Sequence, residues 1–478
     1  MSDWQRLDPR MLLVHPVHEI LRQMPVLVGS FVLGSATGNP VWAMLGVVLI
    51  VAYGVARWFT TTYRIGPDDV QLRSGVLQRK VVSLPRNRIR SVSTDSRLLH
   101  RLLGLTVVTV STGQQASAES AFALDAMAAE QVPRLRATLL AESLGPAVQT
   151  PGQVLARWQP SWLRYSALTF GGMVTIAAAA GVISQTGVLG ALEDSPWTQA
   201  GADVVESVGV AAVVAGAVAA LVLASAALSV TQSLLTYGNL MLRRDAELLH
   251  LSHGLVRVRE HTFDMRRLRG GTLREPLLVR LFGGARLDAV MTGVSGVGEA
   301  SQLLPPCPRG TAASVLRALI DQPDMVDGPL RPHGPAAVRR RWVRALVLPV
   351  LAAVTAGVGA VVGSLPGWVW VVVGVLTVVG VGLAVDRSRA LGHRVGDGWL
   401  AARAGSLDRR RDCLDGAGVV AWTVRQSWPQ RRAGVATLVA ATAAGVKHYE
   451  VVDVPAELAW DIAAGVTPWV GASAWARD

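Results

Sequence analysis

The chain has 478 residues, long enough for three or more domains of ordinary size, and half of it is apolar while only 17% is charged, against about 25% in soluble domains. A formal charge of +12 raises nucleic acid as a partner, but every basic residue except Lys80 and Lys447 is arginine, and neither a zinc-knuckle spacing nor a basic-aromatic strip accompanies them, so no nucleic acid is expected. Cys307 and Cys413 form no CxxC pair and are expected as free thiols, with no metal.

Residues 1 to 23 mix acids, bases and prolines, without the compact apolar core and small-residue cleavage site of a signal peptide. Six apolar blocks then follow in three pairs: 24–36 with 41–59, 165–184 with 204–230, and 345–365 with 366–385. Roughly 20 apolar residues cross a bilayer core, and four of the six blocks reach that length comfortably. Charge is absent from the middle of every block, which argues against a pump or an ion-coupled carrier. The loop inside the second pair carries Glu193, Asp194 and Asp203 but no Lys or Arg. By contrast, residues 57–164 and 237–344 are each net +7, and residues 387–478 are net +3. The excess of arginine predicts that all three of these segments, and both termini, lie on the cytoplasmic side.

The segments after the pairs repeat one another. The stretch "SGVLQRKVVSLPRNRIRSV" leads to "SRLLHRLLGL", with Gly75 standing 29 residues before Gly104. The same interval of 29 separates Gly254 from Gly283 and Gly405 from Gly434, and an arginine stands three residues ahead of each second glycine: Arg101, Arg280 and Arg431. Three copies of one module are the economical reading. Within a copy, "VQLRSGVLQRKVVSLP" alternates β-branched and polar residues around a Ser-Gly turn, a hairpin signature. Further strands are expected at "RIRSVST", "LTVVTVST" and "FALDA", with "SRLLHRLLGL" as a short helix or turn between two of them. A closing helix follows in each copy, at "AAEQVPRLRATLLAE", "TAASVLRALI" and "PAELAWDIA". Short antiparallel strands followed by one helix make a small α+β barrel.

The run from Tyr63 to Val110, with its tyrosine-led strand, serine-glycine hairpin, basic strand and leucine-arginine-leucine-glycine turn, resembles the bacterial pleckstrin-homology (bPH2, YdbS/YdbT-like) family of multi-pass membrane proteins. Paired apolar segments before each copy match the multi-copy members. The resemblance implies an α-helical membrane protein carrying α+β modules: three transmembrane hairpins, six spans in all, each followed by a cytoplasmic PH-like split β-barrel with a C-terminal helix. The plan is then 1–59 for an N-terminal segment and the first hairpin, 60–146 for module one, 163–236 for the second hairpin, 237–322 for module two, 323–341 for a linker, 342–386 for the third hairpin, and 387–470 for module three. Module three is degenerate: "RNRIRSV" becomes "GAGVVAW", and Pro429 and Arg432 stand at apolar positions.

No catalytic motif is present, neither GxxxxGK[ST] nor HExxH nor GxSxG, so no catalytic residue, cofactor or metal is expected and the chain reads as a non-enzyme. The histidines 250, 253 and 261 alternate in a basic hairpin without cysteine or carboxylate at ligand spacing. Juxtamembrane arginines gain roughly 1 kcal/mol each from an anionic leaflet, making Arg86, Arg88, Arg90, Arg266, Arg267 and Arg269 the candidate lipid- or partner-binding residues. Gly75, Arg101, Gly104, Gly254, Arg280, Gly283, Gly405, Arg431 and Gly434 are read as structural repeat positions. The expected role is a membrane scaffold or sensor binding lipid or protein through its modules, partnered by membrane lipids and by another membrane protein or itself. The resemblance suggests envelope maintenance or tolerance of membrane-active peptides. The alternative is an accessory subunit of a larger envelope or transport complex, for which small-residue runs at 177–181 and 357–363 would permit close helix packing.

Overall fold

The computed structural model describes residues 4–6, 8–10 and, with a few positions excepted, 52–111, 122–135, 152–185, 209–292, 302–363 and 365–472. The first apolar pair lies almost wholly outside these residues, as does the loop holding Glu193, Asp194 and Asp203. Two compact units divide the chain: residues 1–158 with 235–267, and residues 159–234 with 268–478. The boundary between them cuts through the second sequence repeat.

In the first unit, β1 (Gln5–Arg6), β2 (Thr62–Ile65), β3 (Asp69–Ser74) and β4 (Lys80–Pro85) form an antiparallel sheet in that order. A second sheet begins with β5 (Ser91–Ser96), which a short helix, α1 (Leu98–Leu102), links to β6 (Leu105–Ser111) and then β7 (Phe122–Ala128). Four more strands, β8 (Gln153–Arg157), β9 (Met241–Asp245), β10 (Leu248–His253) and β11 (Val258–Asp264), extend it in the order β7-β6-β5-β11-β10-β9-β8. Alternation selects the buried face: Val70 and Leu72 on β3, and Val108 and Val110 on β6, point into one core with Tyr63, Val92, Leu105 and Leu124. The two sheets thus enclose a shared apolar layer.

The second unit contains α2 (Gly171–Gln185) and most of α3 (Val210–Tyr237), then β12 (Leu268–Pro276), α4 (Leu277–Leu281), β13 (Gly284–Met291), β14 (Gln302–Pro308), α5 (Arg309–Ile320) and α6 (Pro323–Asp327). Two long helices follow, α7 (Pro335–Val362) and α8 (Trp368–Ala390). The chain then returns to strands with β15 (Gly392–Gly396), β16 (Trp399–Ala404), β17 (Asp408–Asp415) and β18 (Val419–Arg425), and continues through α9 (Trp428–Arg432), β19 (Val435–Thr442), β20 (His448–Pro455) and α10 (Ala459–Val466) to a last short helix, Pro468–Gly471. One sheet runs β14-β13-β12-β17-β16-β15 and another β18-β19-β20. Leu400, Leu414, Leu438, Val451 and Ile462 meet between them in a common core.

Among the described residues three helices are long and apolar enough to cross a membrane, Ala212–Tyr237, Pro335–Val362 and Trp368–Ala390, each with mean hydropathy 2.4. Only 11–17% of their apolar windows is buried, so their side chains face outward into what must be an apolar surrounding. Helix α7 starts ahead of the apolar run, carrying Arg340 and Arg341 on its first turns. Small residues mark the close helix contacts. A Cβ at Gly172 would strike the Ser225 carbonyl of α3, and its N–H donates to Ser229 Oγ at 2.7 Å. Gly380 of α8 sits against Pro349 and Ala345 of α7. Gly181 and Gly357, from the small-residue runs, face open space.

Candidate functional site

The repeated glycines perform two different tasks. Gly75, Gly254 and Gly405 close the turns between β3 and β4, β10 and β11, and β16 and β17, with φ of +123°, +111° and +99°. A Cβ at any of them would collide with the carbonyl oxygen three residues on, that of Gln78, Arg257 or Asp408. Gly104, Gly283 and Gly434 follow α1, α4 and α9 with φ of +68°, +75° and +65°, and at Gly283 and Gly434 a Cβ would meet nothing. The requirement there is left-handed backbone and not space. Each donates its N–H to the repeat arginine's carbonyl, at 3.1 Å from Arg101, 2.9 Å from Arg280 and 3.2 Å from Arg431. Each also accepts, at its carbonyl, the N–H of the residue that opens the helical segment after the next two strands, Ala129, Arg309 or Ala456.

Two of the three arginine side chains reach out of their own repeat. Arg101 donates to the carbonyl of Leu255, beside the turn glycine of the next repeat, at 3.0 Å. Arg280 lies 2.8 Å from Asp386, the carboxylate near the end of α8 that also receives Ser406 Oγ and Arg409 from the Gly405 turn. Arg431, in the last copy, is exposed.

These contacts flank two seams in which the repeats share a sheet. Strand β5 pairs antiparallel with β11, running from Ser96↔Val258 to Ser91↔Phe263. Strand β12 pairs with β17, running from Gly270↔Leu414 to Pro276↔Asp408. Counted from the repeat glycines, the register is identical, since the residue thirteen before the second glycine faces the residue nine after the first in both (Ser91↔Phe263, Gly270↔Leu414). At one position the chemistry is reversed. Nine residues before the second glycine stands Asp95 in one seam and Arg274 in the other; three after the first glycine stand Arg257 and Asp408. Arg257 Nε donates to Asp95 at 2.6 Å, and Arg274 faces Asp408 at 3.5 Å and Asp288 at 3.0 Å. The same site is thus an acid–base pair in one seam and a base–acid pair in the other.

Of the basic candidates, Arg88 and Arg90 lie outside the described residues, and Arg86 sits half-buried in the turn after β4. Arg266 grips Asp264 with two donors, at 3.1 and 2.9 Å. Arg267 lies 3.5 Å from the same carboxylate and donates to the carbonyl of Ile89, and Arg269 meets Asp415 at 3.1 Å. All three second-repeat arginines are therefore engaged by the protein's own groups. His250 and His261 line an open cleft of about 260 Å³ over β9, β10 and β11, where His250 Nδ1 lies 3.1 Å from Thr262 Oγ1. His253 is buried beside the carbonyl of Thr236, and burial lowers its pKa. Among the described residues no group of three or more metal-ligating side chains converges. Cys307 and Cys413 are free, and burial pushes both thiols up to about 12, which keeps them unreactive.

Two clusters had no sequence signal. His333 and His393 are buried with Nε2 and Nδ1 2.9 Å apart, and His333 Nδ1 faces the Val452 carbonyl at 2.8 Å. Asp453, wholly buried on β20, faces Arg340 at 3.1 Å and Arg341 at 2.9 Å. The seams leave one trace in the sequence and no sign of the pairing itself: with the repeats aligned on their glycines, the charges of Asp95/Arg257 and Arg274/Asp408 are reversed.

A family model described as bacterial PH domain matches residues 24–143 and 345–466, together just over half of the chain. In an alignment 327 residues long, which covers 61% of the chain and 64% of the relative, the chain is 22% identical to the UPF0699 transmembrane protein YdbT of Bacillus subtilis (strain 168). No solved structure matches. The two matched stretches carry the first and third copies of the glycine turns and the apolar segments ahead of them, and the chain belongs to the bacterial PH domain family.

Proposed function

We propose that the protein is a non-enzymatic integral membrane scaffold or sensor of the bacterial plasma membrane. It has six spans in three hairpins, each followed by a PH-like split barrel on the cytoplasmic face, with both termini inside. Its modules act by holding one another and a protein partner, with lipid as the solvent of the spans. The observation that supports this reading is the pair of seams: in each, one repeat lends its sheet edge to the next in the same register. The engagement of Arg266, Arg267 and Arg269 by internal carboxylates favours protein contacts over lipid headgroups. A role in envelope maintenance or tolerance of membrane-active peptides is the physiological form this would take; service as an accessory subunit of a larger envelope or transport complex is the second reading.

The test is the melting temperature of the full chain and of Arg266→Gln/Arg267→Gln in nanodiscs of zwitterionic and of anionic lipid. A scaffold with structural arginines melts lower by a similar amount in both. A lipid reader melts unchanged in zwitterionic lipid and loses only the extra stability that anionic lipid confers. Orientation is read separately: a cysteine placed at Ser195 is labelled by an impermeant thiol reagent from outside intact cells, while Cys307 and Cys413 are spared.

A further inference from the structure

Strands β5 and β12 each lie inside a sheet because the third strand of the next repeat's hairpin covers their outer edge. Strand β18 occupies the same place in the third repeat. Its residue Arg425 stands nine before Gly434, as Asp95 and Arg274 stand before Gly104 and Gly283, and pairs with Thr437 as Asp95 pairs with Val107 and Arg274 with Arg286. Yet β18 is the terminal strand of its sheet among the described residues, with Val420 67% exposed and Ala421, Thr423 and Arg425 open to solvent. An uncovered edge bearing apolar side chains is a template for another strand.

Resting on the scaffold reading, we infer that the outer edge of β18 is a docking site for the N-terminal hairpin of a PH-like module on a different protein, one carrying Asp or Glu three residues after its turn glycine. Continuity with the two seams sets the geometry: antiparallel pairing in the same register. Charge sets the partner. In the second seam an arginine at this position of β12 is met by Asp408. Arg425 calls for the same match, its nearest carboxylate being Glu450 at 4.0 Å. A second copy of this chain fits poorly. Its exposed hairpin edge, β4, has Gln78 where the match calls for an acid, so it brings no carboxylate to Arg425.

The experiment places a photo-cross-linking amino acid at Val420 of the full chain in native membranes, with a second variant at Val81 on β4 and a third at exposed Trp428. The expected result is an adduct from Val420 whose cross-linked peptide, read by mass spectrometry, is the strand after a glycine turn of another PH-like protein with an acid three residues past that glycine. Arg425→Glu should lower its yield about fivefold, the weight of one charge pair, and Arg replacing the partner's acid should restore it. An adduct to a second copy of this chain, to a protein without that hairpin, or one indifferent to Arg425→Glu overturns the assignment, as does the absence of an adduct at Val420. In that last case, adducts at Val81 or Trp428 would leave the scaffold reading standing, and silence at all three positions would remove that as well.

Discussion

Asp453 and Arg340 meet at 3.1 Å with the carboxylate wholly shielded from water, fastening the first turns of α7 to β20. Breaking a buried pair leaves an uncompensated charge and costs about 3–5 kcal/mol. Asp453 also adopts φ +56°, a conformation Asn tolerates, so Asp453→Asn removes the charge while sparing the backbone. Asp453→Asn should lower the unfolding free energy of the detergent-solubilised chain by about 3 kcal/mol. A loss below about 0.5 kcal/mol would show that the arginines solvate themselves.

The reversed charges at the seams allow a swap. Asp95→Arg places a third arginine beside Arg257 and Arg259 and should cost about 1 kcal/mol. Adding Arg257→Asp restores an opposite-charge pair in the order of the second seam, where Arg274 faces Asp408, and should recover most of that loss in a double-mutant cycle. Additive losses would mean that the reversal carries no pairing preference.

The two glycine classes should respond differently to substitution. Gly254→Ala meets both a positive φ and the Arg257 carbonyl, and is expected to cost about 2–3 kcal/mol. Gly283→Asn asks only for left-handed backbone in open space and should stay within about 1 kcal/mol. Thermal melts of the two variants, run side by side, decide the point.

Acid should loosen the second unit. His333 donates Nδ1–H to the Val452 carbonyl, so its Nε2 must accept from His393 Nδ1–H, and the pair is neutral. Burial first, then the His333 ring and Arg331, holds His393 down at about 4; burial and Arg341 lower His333 against the opposing pull of Val452 and Asp453. Unfolded histidine titrates near 6.5, so the unfolded chain binds more protons between these values. The stability is fully present above pH 6.5 and lost as pH falls toward 4, by at most roughly 3 kcal/mol for His393. His393→Asn should flatten that slope; a slope unchanged by the substitution would assign the acid sensitivity elsewhere.

The turn glycines and the spans α3, α7 and α8 were legible in the sequence because their causes are local: backbone conformation and unbroken apolar length. The seams were not, because β5 finds its partner more than 150 residues away and register emerges only in three dimensions. Arg266, Arg267 and Arg269 read as free surface charge because arginines near a membrane span satisfy topology without any partner. The carboxylates that hold them, Asp264 and Asp415, sit at the ends of β11 and β17, where nothing local distinguishes them from solvated acids. The close helix contacts at Gly172 and Gly380 fell outside the conspicuous small-residue runs for a similar reason: one glycine opposite the right backbone is enough.

The first seam also constrains how the chain is made. Arg257 leaves the ribosome 162 residues after Asp95, with α2 and α3 synthesised in between. At about 5–20 residues per second, the edge of β5 waits roughly 8–30 s for β11 while α2 and α3 are being made. During that interval the nascent chain presents an open strand edge at the membrane surface, where a neighbouring nascent copy could supply β11 first, so the order of synthesis favours whatever keeps successive ribosomes apart or shields that edge until its own strand arrives.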